Sequence, residues 1–367
     1  LEEMGALDQR TEGLADSETY IRRAADGQGL TRPELAVILS STKLALQDAI
    51  EASGLPDDPV LESNLIDLFP APMQSKFVSY IQDHQLRREL IATDLSNRIV
   101  NRLGLIHAFE LPEEEGVSLS DVAAAFVVVE RLYSLKALWA DIDAAKMPEL
   151  ARITLLERAA AAIGNLMSDV LRTTGGRIET GAMVAELSAG VATLNDQRAH
   201  LLVGDTLERS NALRASFIEQ GAPADLAGRV ADLFDFDGSV GLASLALKTG
   251  IDPAVLTQAF SDIGGRIGID WAQGVAAHMS PSNVWERLLI DGLARDFQHM
   301  RTEFLRRLTR RKAGKDDPRE AIASWAETNA PAIVQFRSML ARAQNSPPVS
   351  PAALAQIAAQ ARNLLER

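Results

Sequence analysis

Apolar residues recur at helical spacing along most of this chain. Leu35, Ile38, Leu39, Leu46 and Ile50 form one stripe, opened by Thr31-Arg32-Pro33-Glu34 and closed near Gly54. Thr31 and Glu34 stand three apart, the spacing at which an N-cap hydroxyl and an N3 carboxylate satisfy each other's backbone N–H groups. Leu86, Leu90, Ile91, Leu95, Val100 and Leu103 form a second stripe, predicted to end at Gly104. Five further starts share one punctuation, an Asp or Ser followed by Pro: Asp58-Pro59, Asp252-Pro253, Ser280-Pro281, Asp317-Pro318 and Ser350-Pro351. The first residue accepts a free backbone N–H, and proline at the first helical position forfeits no hydrogen bond.

The same reading predicts a long helix over Ser120–Ala145, a further one opened by Pro148, and another from Pro281 to about Lys312. Loops are expected at Leu111–Leu119, Thr174–Ile178, Phe236–Ser239, Ala313–Asp317 and Asn345–Ser350. No convincing period-two segment exceeds four residues, so strands are not expected. The fold class is therefore all-α. Gly175-Gly176 and the turn-rich Asp235–Gly238 suggest two packed helical subdomains, residues 1–176 and 177–367. The opening (Leu1, Met4, Leu7) reads as the middle of a helix, as in a piece cut from a longer polypeptide.

Composition agrees. Hydrophobic residues are 47% of the 367, and aromatics only 5%, so the core is built from Leu, Ala, Ile and Val. Ala and Leu are strong helix formers. A net charge of −13 is poorly suited to nucleic acid or an anionic membrane. Cysteine is absent, which removes disulfides, thiolate nucleophiles and Cys-based metal sites. The longest apolar stretch, Val122 to Val129, is far short of the roughly 18 residues of a membrane-spanning helix. A cytoplasmic location fits these features.

Candidate chemistry is sparse. Gly264-Gly265-Arg266-Ile267-Gly268 lacks the spacing of dinucleotide and phosphate-loop fingerprints and reads as a helix stop and turn. His84, His107, His200, His278 and His299 never stand three or four apart, the spacing that sets two ligands on one helix face. There is no Gly-x-Ser-x-Gly elbow. Glu113–Glu115 reads as a solvated charge run. The basic run Arg306, Arg307, Arg310, Arg311, Lys312 and Lys315 falls at the end of a long helix, where cations complement the macrodipole. No aromatic interleaves it as a single-strand platform would.

The most informative polar stretch runs from Leu86 to Arg102. Asp94 and Arg98 have the spacing of an i,i+4 ion pair, and Asn97 and Asn101 share a face. Arg87, Asp94, Asn97, Arg98 and Asn101 make a hydrogen-bonding strip beside the apolar stripe. Two asparagines inside a helix cost intrinsic propensity, which makes sense if their amides bond another segment. An ordinary solvated face explains the pattern about as well.

This stretch also carries a resemblance. Gly29-Leu30-Thr31-Arg32-Pro33-Glu34-Leu35-Ala36-Val37, Leu86–Thr93 and Asn97-Arg98-Ile99-Val100-Asn101-Arg102 closely resemble the large NAD-specific glutamate dehydrogenases of bacteria. So do Met4-Gly5-Ala6-Leu7-Asp8, Leu55-Pro56-Asp57-Asp58-Pro59 and Leu68-Phe69-Pro70. The likeness continues more loosely through Phe126–Trp139, Ile263–Trp271, Trp285 and the helix of Asp296. One departure is visible: Ser40, Ser41 and Thr42 precede Lys43, where the family pattern has an alanine and an aromatic.

The resemblance implies a helical C-terminal, non-catalytic region. The parent reaction converts L-glutamate, NAD and water to 2-oxoglutarate, ammonium and NADH, and needs a cofactor-positioning fold and a lysine that polarises the substrate. The resemblance places those elements, and the NAD they bind, upstream of Leu1. The expected partners are the catalytic domain of the same polypeptide and further copies of it in a homo-oligomer. Thr31, Arg32, Glu34, Arg87, Arg88, Asp94, Asn97, Arg98, Asn101 and Arg102 are the expected interdomain contacts. Two rivals remain: a self-contained helical scaffold or adaptor, and a complete enzyme with a carboxylate site in a deep acidic pocket.

Overall fold

The computed structural model describes all residues except 176–177, 202–203, 280 and 312–316; side chains are also not described at 199–201, 204–205, 277–278, 284, 291 and 311. The Gly176 boundary, the Ser280 cap, Lys312 and Lys315, most of the 313–317 loop, and the side chains of Arg311, His200 and His278 lie outside the described residues. Among those described there are helices and turns and no strand, so the chain is all-α.

The chain divides into two compact units, Leu1–Val128 with Gly176–Ala182, and Val129–Gly175 with Met183–Arg367. The division falls first inside a helix, then between Gly175 and Gly176, and again after Ala182. Residues Gly176–Ala182 group with the first unit, and Asp58 supplies a reason. Its carboxylate caps the turn at Val60 N (3.0 Å) and also accepts from Gly181 N (3.1 Å).

The first unit holds α1 (Ser17–Ala25), α2 (Arg32–Ala52), two 3-10 turns (Leu55–Asp57 and Pro59–Leu61), α3 (Glu62–Asp67), α4 (Ala71–Gln74), α5 (Val78–Gln82), α6 (Arg87–Glu115) and most of α7 (Leu119–Leu132). The expected helical opening is instead a run of turns before α1, with Gly5 and Gly13 at positive φ. The pairing of α2 with α6 dominates this unit. From α2 it buries Ala45, Leu46 and Ile50, and from α6 Ile91, Ala92, Leu95, Ile99 and Leu103. Ser41 and Thr42 also turn inward, so two small hydroxyl side chains are buried in α2. The predicted stop at Gly104 is a kink (φ +85°) inside α6. The helix resumes and carries Pro112 to a left-handed cap at Gly116, so the expected 111–119 loop shrinks to its last residues. In α7, Val122–Val129 is apolar on every side and buried on every side.

The second unit holds the end of α7, then α8 (Leu135–Ala144), α9 (Glu149–Thr174), nearly all of α10 (Thr180–Leu201), α11 (Gly204–Glu219), α12 (Ala224–Asp235), α13 (Ser239–Thr249), α14 (Pro253–Ile267), α15 (Ile269–His278), α16 (Val284–Arg311), α17 (Pro318–Thr328), α18 (Ala330–Gln344) and α19 (Pro351–Leu365). The long helix expected over Ser120–Ala145 is broken at Ser134, which sits at φ +52° between α7 and α8. Asp252, Asp317 and Ser350 cap α14, α17 and α19 as their Pro neighbours predict. The core here gathers Leu256, Ile263, Ile267, Phe297, Leu305 and Leu354, with Phe304 edge-on to Trp325 at 4.7 Å.

One device recurs in both units: an arginine from one helix donates to the free carbonyls that end another. Arg88 serves α2, Arg152 serves α8 and Arg307 serves α19. Arg307 is thereby drawn out of the basic run, and Arg306 pairs with Glu303 at 2.9 Å.

Candidate functional site

The α2–α6 pair positions all ten residues read from the sequence as contacts. Thr31 and Glu34 form the complete capping box. Thr31 Oγ1 accepts from Glu34 N (3.4 Å), while the Glu34 carboxylate accepts from Thr31 N and Thr31 Oγ1, both at 2.7 Å. Arg23 of α1 donates to the other Glu34 oxygen at 2.8 Å. These bonds, the Thr31 backbone N–H foremost, hold the Glu34 carboxyl down to about 2. Arg32 beside it is exposed.

Arg87 and Arg88 face inward along the chain. Arg87 donates to Pro56 O at 3.3 Å. Arg88 donates to Glu51 O (2.5 Å) and Ser53 O (2.7 Å) and pairs with Asp57. One turn further on, Asp94 and Arg98 make the expected ion pair at 2.8 Å. Asn97 is half-buried and Asn101 exposed, and neither amide has a hydrogen bond among the described residues. Arg102 is half-buried. The strip is therefore two things: its first residues tie α6 to the end of α2, and its later asparagines present unused donors and acceptors.

A second feature of the first unit carried no sequence signal beyond its aromatics. Phe69, Met73, Phe77, Tyr80, Ile81 and His84 line an open apolar pocket of about 180 Å³ formed by α4, α5 and the turns beside them. Tyr80 is 76% exposed and Leu86, just beyond, 54%. Phe77 stands edge-on to Tyr80 at 6.3 Å, and Phe69 tilts against His84 at 5.7 Å.

The second unit holds a buried polar network that the sequence did not single out. Arg301, only 4% exposed, pairs with Asp270 at 2.6 Å, donates to Gln273 and Gln298, and lies 4.4 Å from the centre of the Phe260 ring. Gln298 donates to Asp237 O at 2.8 Å. Gly264 makes room: a Cβ there would stand 2.5 Å from the Asp270 carboxylate and 2.8 Å from Arg301. So Gly264 lies within α14, against the expected stop, and only Gly268 ends the helix. Beside this group, Asp169 accepts from Gly241 N at 3.1 Å, and Tyr133 bonds Ser239 at 2.6 Å. Burial pushes the Asp169 carboxyl up to about 6. It pushes Asp237 to about 7, helped by the charge of Asp169 and opposed by Arg301 and Arg172. The available signal was the placing of Gln298, Arg301 and Thr302 among Phe297, Met300 and Phe304, on turns of α16 that face the core.

Among the described residues no cluster of three or more His, Asp or Glu is arranged to hold a metal ion, and no helix is long and apolar enough to cross a membrane.

Comparison with known proteins places this architecture. The family described as glutamate dehydrogenase, C-terminal, matches residues 27–365. The NAD-specific glutamate dehydrogenase of Pseudomonas aeruginosa is 26% identical over 342 residues, which is 93% of this chain and 21% of that protein. The protein of the same name from Halomonas elongata is 24% identical over the same shares. That of Mycobacterium tuberculosis is 28% identical over 286 residues, 77% of this chain and 17% of that protein. The chain therefore spans about a fifth of the length of the curated relatives it matches. With a match that runs from just after α1 to the end of α19, this chain belongs to the glutamate dehydrogenase C-terminal family.

Proposed function

We propose that this chain works as the all-helical, non-catalytic C-terminal part of an NAD-dependent glutamate dehydrogenase, a cytoplasmic enzyme of glutamate catabolism. The enzyme oxidises L-glutamate with NAD and water to 2-oxoglutarate, ammonium and NADH. The helical part supports the catalytic domain and the assembly of the homo-oligomer, and NAD binds in the catalytic domain.

One observation carries this reading. Relatives named NAD-specific glutamate dehydrogenase match nearly the whole chain, yet four-fifths of their length lies outside the match. Hydride transfer requires a fold that sets the nicotinamide against the substrate carbon. In the proposed division of labour that fold sits in the unmatched four-fifths. This chain supplies rigid helical pairs, clamped at their ends by arginines, on which such a domain can be mounted.

The test compares the long polypeptide, the same polypeptide lacking these 367 residues, and this chain alone. NADH formation from L-glutamate is expected from the first only, with the shortened form also changed in its number of subunits in solution. Full activity and an unchanged number of subunits in the shortened form would discard the supporting role.

A further inference from the structure

Exposed apolar side chains are unevenly spread over this molecule. In the first unit five of them, Leu68, Met73, Phe77, Tyr80 and Leu86, fall within residues 68–86, while Leu35, Leu39 and Leu44 stand on α2 and the others lie singly. Aromatics are 5% of the whole chain, yet Phe69, Phe77 and Tyr80 fall within twelve residues and share one pocket. In the second unit they are spread over several helices, among them Leu150 and Ile153 on α9, Leu247 on α13, Trp285 and Leu289 on α16 and Val334 on α18.

Local folding explains how the cluster arises but not why it is left uncovered. Pro70 and Pro72 break the chain into the very short α4 and α5, which have too few turns to bury both faces. Ile81 faces the core, and the remaining apolar groups are turned outward. Lys76, placed 5.4 Å from the Phe77 ring, and the exposed Asp67 and Asp83 give the patch a charged rim. Aromatic and Met side chains at the centre with charge at the edge is the composition of a protein interface, not of a free surface. Contiguous apolar patches on free proteins are uncommon and mark binding sites.

We propose that the apolar pocket of Phe69, Met73, Phe77, Tyr80 and His84 is the docking surface for the rest of the same polypeptide, the part that the relatives possess outside the matched fifth. This rests on the reading that the chain is one part of a longer dehydrogenase. The occupant follows from length: relatives about five times longer than the matched segment carry a large body of protein tethered to it, at high effective concentration. The complementary element is an apolar side chain, a Leu or aromatic, entering between Phe77 and Tyr80, with an acidic group reaching Lys76.

The experiment places a thiol at the rim and asks whether it is covered. Tyr80→Cys and Leu86→Cys alter side chains that are mostly in solvent, so the fold is undisturbed. Trp285→Cys, at a site 81% exposed in the other unit, is the control. Each is treated with a maleimide in this chain and in the long polypeptide, and the labelled peptide is followed by mass spectrometry. Positions 80 and 86 are expected to react at least about tenfold more slowly in the long polypeptide, as for any site that reacts only when a docked surface opens. Equal rates in both forms would overturn the proposal. Protection that disappears on dilution to single polypeptides would also overturn it, because the cover would then be a second copy. Glutamate oxidation is measured on the same unlabelled preparations. Activity without protection sinks the docking surface alone, whereas protection without activity sinks the dehydrogenase reading and leaves the surface standing.

Discussion

Arg88 donates to the main-chain oxygen of Glu51 at 2.5 Å, joining the first turn of α6 to the last turn of α2. The same guanidinium reaches Ser53 O at 2.7 Å and the Asp57 carboxylate. Arg88→Ala leaves those helix-end carbonyls without their charged donor. It is expected to destabilise the first unit by about 1–2 kcal/mol, since hydrogen bonds to charged groups are worth somewhat more than neutral ones and this one is half in water. Arg88→Lys, with one compact donor in place of a fork, should recover only part of the loss. The readout is thermal unfolding followed by circular dichroism. All four tryptophans lie in the second unit, so their fluorescence should be unmoved. A tryptophan transition that shifts equally would show that the clamp is not local.

Gly238 and Gly250 bracket α13 in the same left-handed conformation, at φ +81° and +72°. Their surroundings differ. A Cβ at Gly250 meets nothing within 4 Å, whereas one at Gly238 would overlap the Gln298 amide nitrogen. Gly250→Ala should cost only the backbone strain, about 1–2 kcal/mol. Gly238→Ala should cost that and a further loss of about 1–3 kcal/mol, because Gln298 must abandon Asp237 O and leave buried groups unpaired. Equal losses, measured by tryptophan fluorescence on urea titration, would mean that Gln298 moves aside freely.

The helix starts and the all-α class were legible because they are local. Thr31, Asp252, Asp317 and Ser350 each cap through a bond to a residue two or three positions on, which spacing alone determines. Breaks decided by distant partners were not legible. Ser134 interrupts the expected long helix where Tyr133 reaches Ser239, more than a hundred residues away. Arg88 read as an outward contact because a guanidinium on an amphipathic helix looks the same whether it meets a foreign surface or the carbonyls of Glu51 and Ser53. The Asp169–Asp237–Arg301 network was invisible for the same reason: its members come from α9, the turn before α13 and α16.

That network sets a pH dependence. Burial raises the Asp237 carboxyl from 3.8 to about 7, with the charge of Asp169 adding to the shift and Arg301 and Arg172 opposing it. Asp169 is itself raised to about 6 by burial. A carboxyl whose folded value lies above its unfolded one favours the folded state while protonated. Its contribution is complete below about pH 4 and is lost as pH rises through 6 and 7. Tryptophan-detected melting of the second unit should therefore fall between pH 5 and pH 8. Each kcal/mol lost corresponds to about 2–4 °C for a unit of this size. Asp237→Asn keeps a neutral group of the same shape, so its melting temperature should fall less over that interval and exceed that of the unaltered chain at pH 8. Parallel curves for the two proteins would remove Asp237 from the account.

Asn97 and Asn101 offer a test of the contact strip in which the two readings differ in sign. Both lie in α6, four residues apart, and neither amide has a hydrogen bond among the described residues. Alanine is the better helix former by roughly half a kcal/mol at each position. In this chain alone, Asn97→Ala with Asn101→Ala should therefore leave the first unit as stable as before or slightly more so. In the long polypeptide the same pair should weaken assembly or lower glutamate oxidation, because amides that serve another surface are lost there. Arg88 is unsuitable for this purpose, since its removal damages α2 and α6 directly. A gain in stability in the chain, with mass and activity of the long polypeptide unchanged, would make the asparagines an ordinary solvated face. A loss confined to the long polypeptide would assign them to the interface, at a cost in helix propensity that only a partner's hydrogen bonds can offset.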